Sequence, residues 1–363
     1  MNKDYYVVIM AGGVGVRFWP VSKTDRPKQF IDILGTGKSL IQQTYDRFSA
    51  FCPPENIYVV TNARYRALVA EQLPQLRPGQ ILCEPYRKNT APCIAYANYK
   101  IHKRNPNATI VVAPSDHVVQ KEDVFIAALR EAAAAATQNP WLVTLGIKPS
   151  YPNTGYGYIQ FADRAVDAAH PQLKKVKLFT EKPEYEMARS FVESGEFLWN
   201  AGIFIWSLPT IMAAFRKYLP EIDELFAAYA DSIDTPREAE GIEKTYVSCR
   251  NISIDYGVME KADNVYVMAG DFGWSDVGSW NALYELLPKN AERNAVVGAV
   301  PLAYESQGNL VRVANDKVVV LQGLTDCIVV EDNGVLLICK RTEEQRIRQF
   351  VEDVGKEKGE QYL

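Results

Sequence analysis

The chain has 363 residues, of which 47% are apolar and 23% are charged. This balance is typical of a globular protein and argues against disordered, collagenous and fibrous classes, and the length predicts a large domain plus a smaller one. Forty basic and 44 acidic residues give a formal net charge of −4, so we expect neither nucleic acid nor a membrane surface as a partner. A local basic pocket for a small anion is compatible with this charge.

Strand-like and helical patterns alternate along the first part of the chain. Residues 5–10 (YYVVIM) form a continuous apolar run that ends at a glycine loop, which is typical of a buried parallel strand. Further elements are predicted as strands at 57–61, 109–113, 142–147 and 202–206, and as helices at 40–51, 65–72, 91–103 and 124–137. This alternation predicts a parallel, helix-covered α/β sheet that binds ligands beyond the carboxyl ends of its strands.

One uncharged stretch, residues 197–215, approaches the length of a membrane span. Asn200, Ser207 and Pro209 interrupt it. We therefore predict a buried strand followed by a turn, and no membrane segment.

The pattern changes after about Pro288. Short β segments separated by Gly, Asn and Asp occupy residues 296–340, and they predict a small all-β domain, either a sandwich or a β-helix. Apolar residues at helical spacing between 347 and 354 predict a terminal helix. The predicted domains are therefore 1–288 and 289–363.

Cysteine and histidine are sparse and scattered. The six cysteines form no CxxC pair, which argues against zinc-ribbon and thioredoxin-type sites and predicts mostly buried thiols in a reducing compartment. His102, His117 and His170 are far apart in the sequence, which argues against a His-rich metal site. The N-terminal apolar run is shorter than a signal peptide requires, so we expect a cytoplasmic protein.

The glycine loop opens the segment AGGVGVRFWPVSKTDRPKQF at 11–30. It does not match the dinucleotide fingerprint, which would need glycine in place of Phe18. A second segment, GTGKS at 35–39, does not match the P-loop, which would need glycine in place of Asp32.

The same segment nevertheless contains groups that could bind phosphate. The backbone amides of its glycines can face a polyphosphate, and Arg17 and Lys28 supply a planar fork and a point charge. The alternative is a tight turn with a solvated Arg and Lys.

Eight blocks follow one another along the chain: the GGxGxR…PKQF pattern within 12–30, RKNTAPCIA (87–95), APSDHVV (113–119), NTGYGYI (153–159), FTEKP (179–183), WNAGIF (199–204), SIDYGVMEK (253–261) and WSDVGSW (274–280). Together they resemble the sugar-1-phosphate nucleotidyltransferases, in particular the short bacterial mannose-1-phosphate guanylyltransferases. The resemblance implies a Rossmann-like, glycosyltransferase-A-like α/β domain with a mainly parallel sheet and a left-handed β-helix-like C-terminal domain. It does not extend to the fused isomerase domain of longer, bifunctional members.

The resemblance also implies an activity. Such an enzyme transfers GMP from GTP to mannose 1-phosphate with Mg²⁺, giving GDP-mannose and pyrophosphate, and forms a homodimer. Because a sugar phosphate is mostly dianionic at neutral pH, the nucleophile needs no general base, so positioning and positive charge should supply most of the catalysis.

The resemblance assigns roles to individual residues. The catalytic group is Arg17, Lys28, Asp116 and Lys182, and the metal ligands are Asp116 and Asp276. The nucleotide-binding set is Ala11, Gly12, Gly13, Gly15, Arg17, Lys28, Asn89, Thr90, Ala91, Pro92 and Ser115. The sugar-phosphate set is Tyr156, Gly157, Glu181, Lys182, Asn200 and Asp255.

Structural alternatives exist for several of these residues. Thr90 would be the N-cap of a helix whose start presents free N–H groups, and Asp116 a helix cap or turn residue. Glu181 and Lys182 would form an exposed turn, and Asn200 would satisfy buried backbone.

Two other functions remain open at this point. A nucleotidyltransferase of the same fold could use another base or sugar, since base choice depends on hydrogen bonds in the pocket. A non-catalytic homologue could bind GDP-mannose and regulate a partner, although such a protein could lose Arg17, Lys28, Asp116 and Asp276.

Overall fold

The computed structural model describes residues 1–13, 16–166 and 170–363. The chain divides into two compact units. The first unit comprises Met1–Gly12, Thr44–Ser115 and Val119–Trp274, and the second comprises Gly13–Gln43, Asp116–Val118 and Ser275–Leu363. The division into 1–288 and 289–363 stays a prediction.

The strands and helices of the described residues are as follows. The strands are β1 (Tyr5–Ala11), β2 (Ile57–Asn62), β3 (Ile81–Glu84), β4 (Thr109–Pro114), β5 (Val118–Val119), β6 (Leu142–Ile147), β7 (Tyr158–Ala165), β8 (Leu173–Thr180), β9 (Phe197–Ser207), β10 (Val265–Ala269), β11 (Trp274–Ser275), β12 (Ala295–Gly298), β13 (Leu302–Tyr304), β14 (Leu310–Val313), β15 (Val320–Gln322), β16 (Cys327–Asp332) and β17 (Val335–Lys340). The helices are α1 (Leu40–Ser49), α2 (Arg66–Gln72), α3 (Thr90–His102), α4 (Glu122–Gln138), α5 (Tyr185–Ser194), α6 (Leu208–Tyr218), α7 (Pro220–Tyr229), α8 (Glu238–Ser248), α9 (Trp280–Leu286) and α10 (Ile347–Lys358).

The first unit is built on a sheet whose strand order, over the described residues, is β3-β2-β1-β4-β9-β6-β10-β8-β7. Parallel pairs join β3 to β2, β2 to β1, β1 to β4, and β6 to β10. Strand β9 is antiparallel to β4, β6 and β7, and β8 is antiparallel to β10 and β7. Among the described strands of this sheet, β8 and β9 therefore run against the others, and the predicted mainly parallel α/β fold is confirmed.

The central strands are buried on both faces. Val7, Val8 and Ile9 are consecutive residues of β1, and all three are fully buried. Because successive side chains of a strand point to opposite faces, this burial requires a cover on each side of the sheet. Helix α3 contributes buried residues from Ala91 to Ile101 to that core.

The uncharged stretch at 197–215 differs from its prediction at one end. A strand is present, as expected, but β9 runs on to Ser207 and is followed by helix α6 instead of a turn. The Ser207 hydroxyl accepts a hydrogen bond from the Thr210 amide, and Pro209 lies in the first turn, so these residues start a helix. No helix in the described ranges is long and apolar enough to cross a membrane.

The C-terminal part of the second unit is a small β structure. Strands β12, β14 and β16 pair in parallel, as do β13 and β15, and β17 returns antiparallel to β16. Parallel pairing between successive short strands favours the β-helix over the sandwich. The predicted terminal helix is confirmed as α10, and its Ile347 joins the hydrophobic core that contains Phe18 and Trp280.

Candidate active site

The glycine loop begins where β1 ends. Ala11 is the last residue of β1 and is fully buried. Gly12 is the last residue of the first segment of the first unit, and Gly13 is the first residue of the second unit. The Gly13 carbonyl accepts a hydrogen bond from Gln29 Nε2 at 2.9 Å. Gly15, which was assigned to nucleotide binding, lies outside the described residues.

Lys28 is the central cation of the second unit. Its side chain is buried, with 6% of the residue exposed. The ammonium group lies 2.9 Å from Asp116 Oδ2 and donates to the carbonyl oxygens of Asp276 at 2.7 Å and Val277 at 3.0 Å. Since an ammonium group has three N–H donors, all of them have a partner here. Lys28 therefore binds both segments that carry the predicted metal ligands.

The Asp116 carboxyl is kept ionised by its neighbours. Burial would raise its pKa, but the Lys28 ammonium and His117 outweigh this effect and hold the pKa of Asp116 below its usual range. Asp116 directly follows Ser115, which is buried beyond the end of β4 and whose amide donates to the Met10 carbonyl at 3.0 Å. The strand thus delivers a charged carboxylate at its carboxyl end, as expected for a ligand-binding edge.

A cavity of about 280 Å³ in the second unit collects most of these groups. It is lined by Gly13, Arg17, Phe18, Lys28, Gln29, Asp116, His117, Asp276, Gly278 and Arg348. Arg17 donates to the Gly278 carbonyl at 3.3 Å, and Asp276 Oδ1 accepts from the Gly278 amide at 3.0 Å. All four side chains assigned to the phosphates and the metal in this unit are therefore brought to one cavity.

The donor set of this cavity fits a magnesium ion. It offers two carboxylates, Asp116 and Asp276, and the described residues contain no cluster of three or more His, Cys, Asp or Glu that could hold a metal by themselves. Mg²⁺ usually keeps several waters and binds through one or two carboxylates plus substrate phosphates. A site of this kind is completed by the substrate.

The predicted sugar-phosphate residues form a second cluster, in the first unit. The backbone N–H of Asn200 donates to the Gly157 carbonyl at 2.8 Å. A Cβ atom on Gly157 would lie 2.5 Å from Glu181 Oε2 and 3.3 Å from Asn200 Cβ. Any larger residue at this position would require the Glu181 carboxylate and Asn200 to shift.

Asn200 connects this cluster to Asp255. Its Nδ2 donates to Asp255 Oδ1 at 2.9 Å, and its Oδ1 accepts from Thr144 Oγ1 at 3.1 Å and from the Gly202 amide at 3.0 Å. Asn200 therefore does satisfy buried backbone, at Gly202, and it also holds the Asp255 carboxylate. Asn200 therefore has both a structural role, as a backbone partner, and a place in the polar cluster.

Glu181 and Lys182 do not form a simple exposed turn. The Glu181 side chain is only 9% exposed, and it accepts a hydrogen bond from Lys182 Nζ. Burial would lower the pKa of Lys182, but the Glu181 carboxylate outweighs it and raises that pKa. Burial, together with Glu181, raises the pKa of Asp255 to about 7. Tyr156 packs its ring edge-to-face against Trp199, with 5.0 Å between centroids.

The nucleotide-binding residues assigned at 89–92 lie at the start of helix α3, with one correction. Asn89, at a positive φ of 69°, is the N-cap instead of Thr90, and its side chain accepts from the Thr90 amide at 2.9 Å. Ala91 donates its amide to the Ile252 carbonyl at 3.1 Å, and Pro92 has no N–H to offer. The expectation that this helix start presents free N–H groups is therefore wrong at Thr90 and Ala91, whose N–H groups are bound by the Asn89 side chain and the Ile252 carbonyl.

Comparison with known proteins identifies the family. The sequence profile described as nucleotidyl transferase matches residues 6–293. The chain belongs to the nucleotidyl transferase family. It is 36% identical over 348 residues to a mannose-1-phosphate guanylyltransferase of Escherichia coli, covering 95% of this chain and 73% of that protein. It is 35% identical over 358 residues to a mannose-1-phosphate guanylyltransferase of Klebsiella pneumoniae, covering 98% and 75%.

A solved structure agrees with this assignment. The crystal structure of mannose-1-phosphate geranyltransferase from Thermus thermophilus matches with a TM-score of 0.87 and 30% sequence identity, covering 97% of this chain and 99% of that chain. The predicted resemblance to this group of nucleotidyltransferases is confirmed, and the chain is an enzyme. A purely regulatory homologue is thereby set aside.

Sequence reasoning missed two charged residues of this nucleotidyltransferase. Arg348, in α10, lines the cavity of about 280 Å³ around Lys28, and no local pattern in a terminal helix indicates that. Glu84 ends β3 with 7% exposure, and its Oε2 would lie 3.4 Å from a Cβ on Gly12. Its Oε1 accepts from the Tyr246 hydroxyl at 3.0 Å, and burial raises its pKa to about 7. No strand was predicted at 81–84, so its position at the carboxyl end of a strand could not be recognised.

A larger cavity lies elsewhere in the second unit. It measures about 910 Å³ and is lined by residues that include Asp32, Arg312, Lys317 and Asp332. None of the predicted site residues that the structure describes lines it. The cavity of about 280 Å³, although smaller, is the one in which the chemistry-bearing side chains meet.

Proposed function

We propose that this nucleotidyltransferase transfers GMP from GTP to mannose 1-phosphate, with release of GDP-mannose and pyrophosphate. The observation that carries the proposal is the cavity in which Arg17 and Lys28 face the carboxylates of Asp116 and Asp276. Phosphoryl-type transfer needs this combination of cations and metal-binding oxygens. The names of the Escherichia coli and Klebsiella relatives support guanine as the base and mannose 1-phosphate as the acceptor.

The reaction needs little proton chemistry from the protein. A phosphate oxygen of mannose 1-phosphate attacks the α-phosphorus of GTP, the new O–P bond forms, and the bond to the bridging oxygen breaks. The electron pair leaves on pyrophosphate. Arg17 stabilises the charge that grows there by bidentate contacts, since a guanidinium fork matches phosphate oxygens. Lys28 adds positive charge and holds the Asp116 and Asp276 segments in place.

Asp116 and Asp276 are the residues that would hold Mg²⁺. When bound, the ion neutralises charge on phosphate oxygens and orients them for displacement. The low pKa of Asp116, caused by Lys28 and His117, keeps this ligand ionised at neutral pH. The Gly278 amide fixes the orientation of the Asp276 carboxylate.

The acceptor is assigned to the cluster around Gly157. Glu181, whose side chain is mostly buried beside Lys182, accepts hydrogen bonds from sugar hydroxyls, while Lys182 contacts the sugar phosphate. Asn200 and Asp255 supply further polar groups, and the Asn200 side chain donates a hydrogen bond to the Asp255 carboxyl group. Buried polar groups of this kind reject ligands that cannot pair with them, which is the physical basis for selecting a sugar.

Pyrophosphate release tests the proposal directly. The purified chain is incubated with Mg²⁺ and mannose 1-phosphate, with GTP, ATP, UTP, CTP or dTTP in turn, and then with GTP and glucose 1-phosphate. Pyrophosphate release is expected only with the pair GTP and mannose 1-phosphate. Release mainly with another nucleotide would contradict guanylyl transfer, and release with GTP only when glucose 1-phosphate replaces mannose 1-phosphate would contradict the acceptor.

Asp116→Asn tests the assigned metal ligand. The amide keeps an oxygen for Lys28 but loses the negative charge, so turnover with GTP should fall below detection while the circular dichroism spectrum stays unchanged. Asp271→Asn is the matched control, because Asp271 is exposed and pairs with Lys121 on the surface of the first unit. An active Asp116→Asn enzyme would remove Asp116 from the metal site.

A further inference from the structure

The phosphate cavity contains an arginine from the far end of the chain. Arg348, in α10, lines the same cavity as Arg17, Lys28, Asp116 and Asp276. We propose that Arg348 binds the β- and γ-phosphates of the nucleoside triphosphate, and the pyrophosphate that they become, together with Arg17. This inference rests on one part of the proposed function, namely that the cavity binds a nucleoside triphosphate.

The charges in the cavity leave a role for a second arginine. Lys28 directs its three N–H groups to Asp116 and to the carbonyls of Asp276 and Val277, so they are already used within the protein. The two carboxylates repel a polyanion until a divalent cation offsets them. Among the side chains that line the cavity, the two guanidinium groups match phosphate oxygens bidentately.

Arg348 is available for this contact. Its side chain is exposed, and its guanidinium has no hydrogen-bond or ion-pair partner among the described residues. Arg17 differs in donating one hydrogen bond, to the Gly278 carbonyl. An anion can therefore bind Arg348 without breaking an existing interaction, at the cost of ordering one side chain.

Helix α10 holds Arg348 in place relative to Arg17. Ile347 is buried in the same hydrophobic core as Phe18 and Trp19, and Phe350 packs against that core. The Trp19 indole donates to the Tyr362 carbonyl at 2.7 Å, beyond the end of α10. Because Phe18 and Trp19 directly follow Arg17, one core supports both guanidinium groups.

Binding of pyrophosphate to the full chain tests the proposal without any sugar. With Mg²⁺ present, titration calorimetry of Arg348→Ala should give a Kd for pyrophosphate about tenfold higher than that of the parent. Binding should also depend less on salt, since one charge contact is lost. Arg348→Lys should recover part of the affinity, because it keeps the charge and lacks the fork.

Arg346→Ala is the matched control. Arg346 lies two residues away, 3.6 Å from Glu343 and over the Phe350 ring, and it does not line the cavity. Its Kd for pyrophosphate should equal that of the parent, and both variants should keep the parent melting temperature.

Two results would overturn the proposal: parent affinity in Arg348→Ala, or equal weakening in Arg346→Ala, which would indicate a general loss of positive charge. Failure of GTP and mannose 1-phosphate to react would instead overturn the proposed function. The pyrophosphate titration still decides the role of Arg348 in that case, so the two failures are distinguishable.

Discussion

At the scale of single residues, Gly157 is the position where one added carbon should separate sugar binding from nucleotide binding. In Gly157→Ala the new Cβ would lie 2.5 Å from Glu181 Oε2 and 3.3 Å from Asn200 Cβ, so both side chains must move. Because a shift of about 1 Å in a positioning group can cost about 100-fold in rate, a smaller shift here should cost about tenfold. We expect the KM for mannose 1-phosphate to rise by at least about tenfold, with the KM for GTP nearly unchanged, in steady-state pyrophosphate assays.

Gly79→Ala provides the control for that experiment. Gly79 is also in the first unit, and an added Cβ there meets no heavy atom within 4 Å. Its kinetic constants should match those of the parent. If Gly157→Ala raised both KM values equally, the glycine would not be specific to the sugar.

Lys28 shows why residue roles are harder to predict than residue positions. The family resemblance assigned it to the nucleotide, but its ammonium partners, Asp116, Asp276 and Val277, are all distant in the sequence. Nothing local distinguishes a lysine that binds phosphate from one whose ammonium binds a carboxylate and two backbone carbonyls. The same limit applies to Arg348, because a helical pattern indicates a buried face and not what an exposed arginine lies beside.

At the scale of elements, two buried asparagines hold the coils of the β domain together. Asn309 is fully buried, and its side chain bonds Asn294 Oδ1 at 3.1 Å, the Leu324 carbonyl at 2.9 Å and the Cys327 amide at 2.9 Å. Asn309→Leu keeps the size and leaves these buried groups without partners. Urea unfolding should show a loss of about 3 kcal/mol in the free energy of unfolding.

Asn315→Leu is the corresponding control on an exposed position of the same unit. Because Asn315 lacks the buried bonds of Asn309, its replacement should leave the free energy of unfolding close to that of the parent. Equal stability of the two variants would show that the asparagine contacts contribute nothing.

The elements were predictable where local pattern decides them. The apolar run at 142–147 became β6 without change, and 124–137 lies within α4. Strand direction was not predictable, because β9 is buried like its neighbours and has the same kind of apolar run. The turn expected after it was wrong because Pro209 suits the first turn of a helix as well as a turn.

At the scale of the whole molecule, sheet topology explains how much of the site could be predicted. Glu84 and Ser115 lie at the carboxyl ends of β3 and β4, and Gly12 follows β1, so parallel pairing of these strands gathers them at one edge. Asn200, within the antiparallel strand β9, is not placed by that rule. It could be assigned only from the family resemblance, and so could Glu181, Lys182 and Asp255.

Buried carboxyl groups in the first unit also give the whole molecule a pH dependence. Burial raises the pKa of Glu84 from 4.5 to about 7. Between these values the unfolded chain has Glu84 ionised while the folded chain keeps it protonated, so the unfolded state binds fewer protons. This contribution to stability is fully present below about pH 4.5 and is lost as the pH rises through 7. Asp255, raised from 3.8 to about 7, acts in the same direction.

Glu84→Gln isolates this effect, because the amide is neutral at every pH and still accepts from Tyr246. The difference in unfolding free energy between variant and parent should grow in favour of the variant from about pH 4.5 to about pH 7, by up to about 3 kcal/mol, and level off above that range. Urea titrations at about pH 5, 6, 7 and 8 measure it. Glu71→Gln, on an exposed position of α2, should follow the parent at each pH. Parallel curves for Glu84→Gln and the parent would mean that Glu84 is ionised in the folded protein throughout this range, with Arg87 or solvent stabilising its charge.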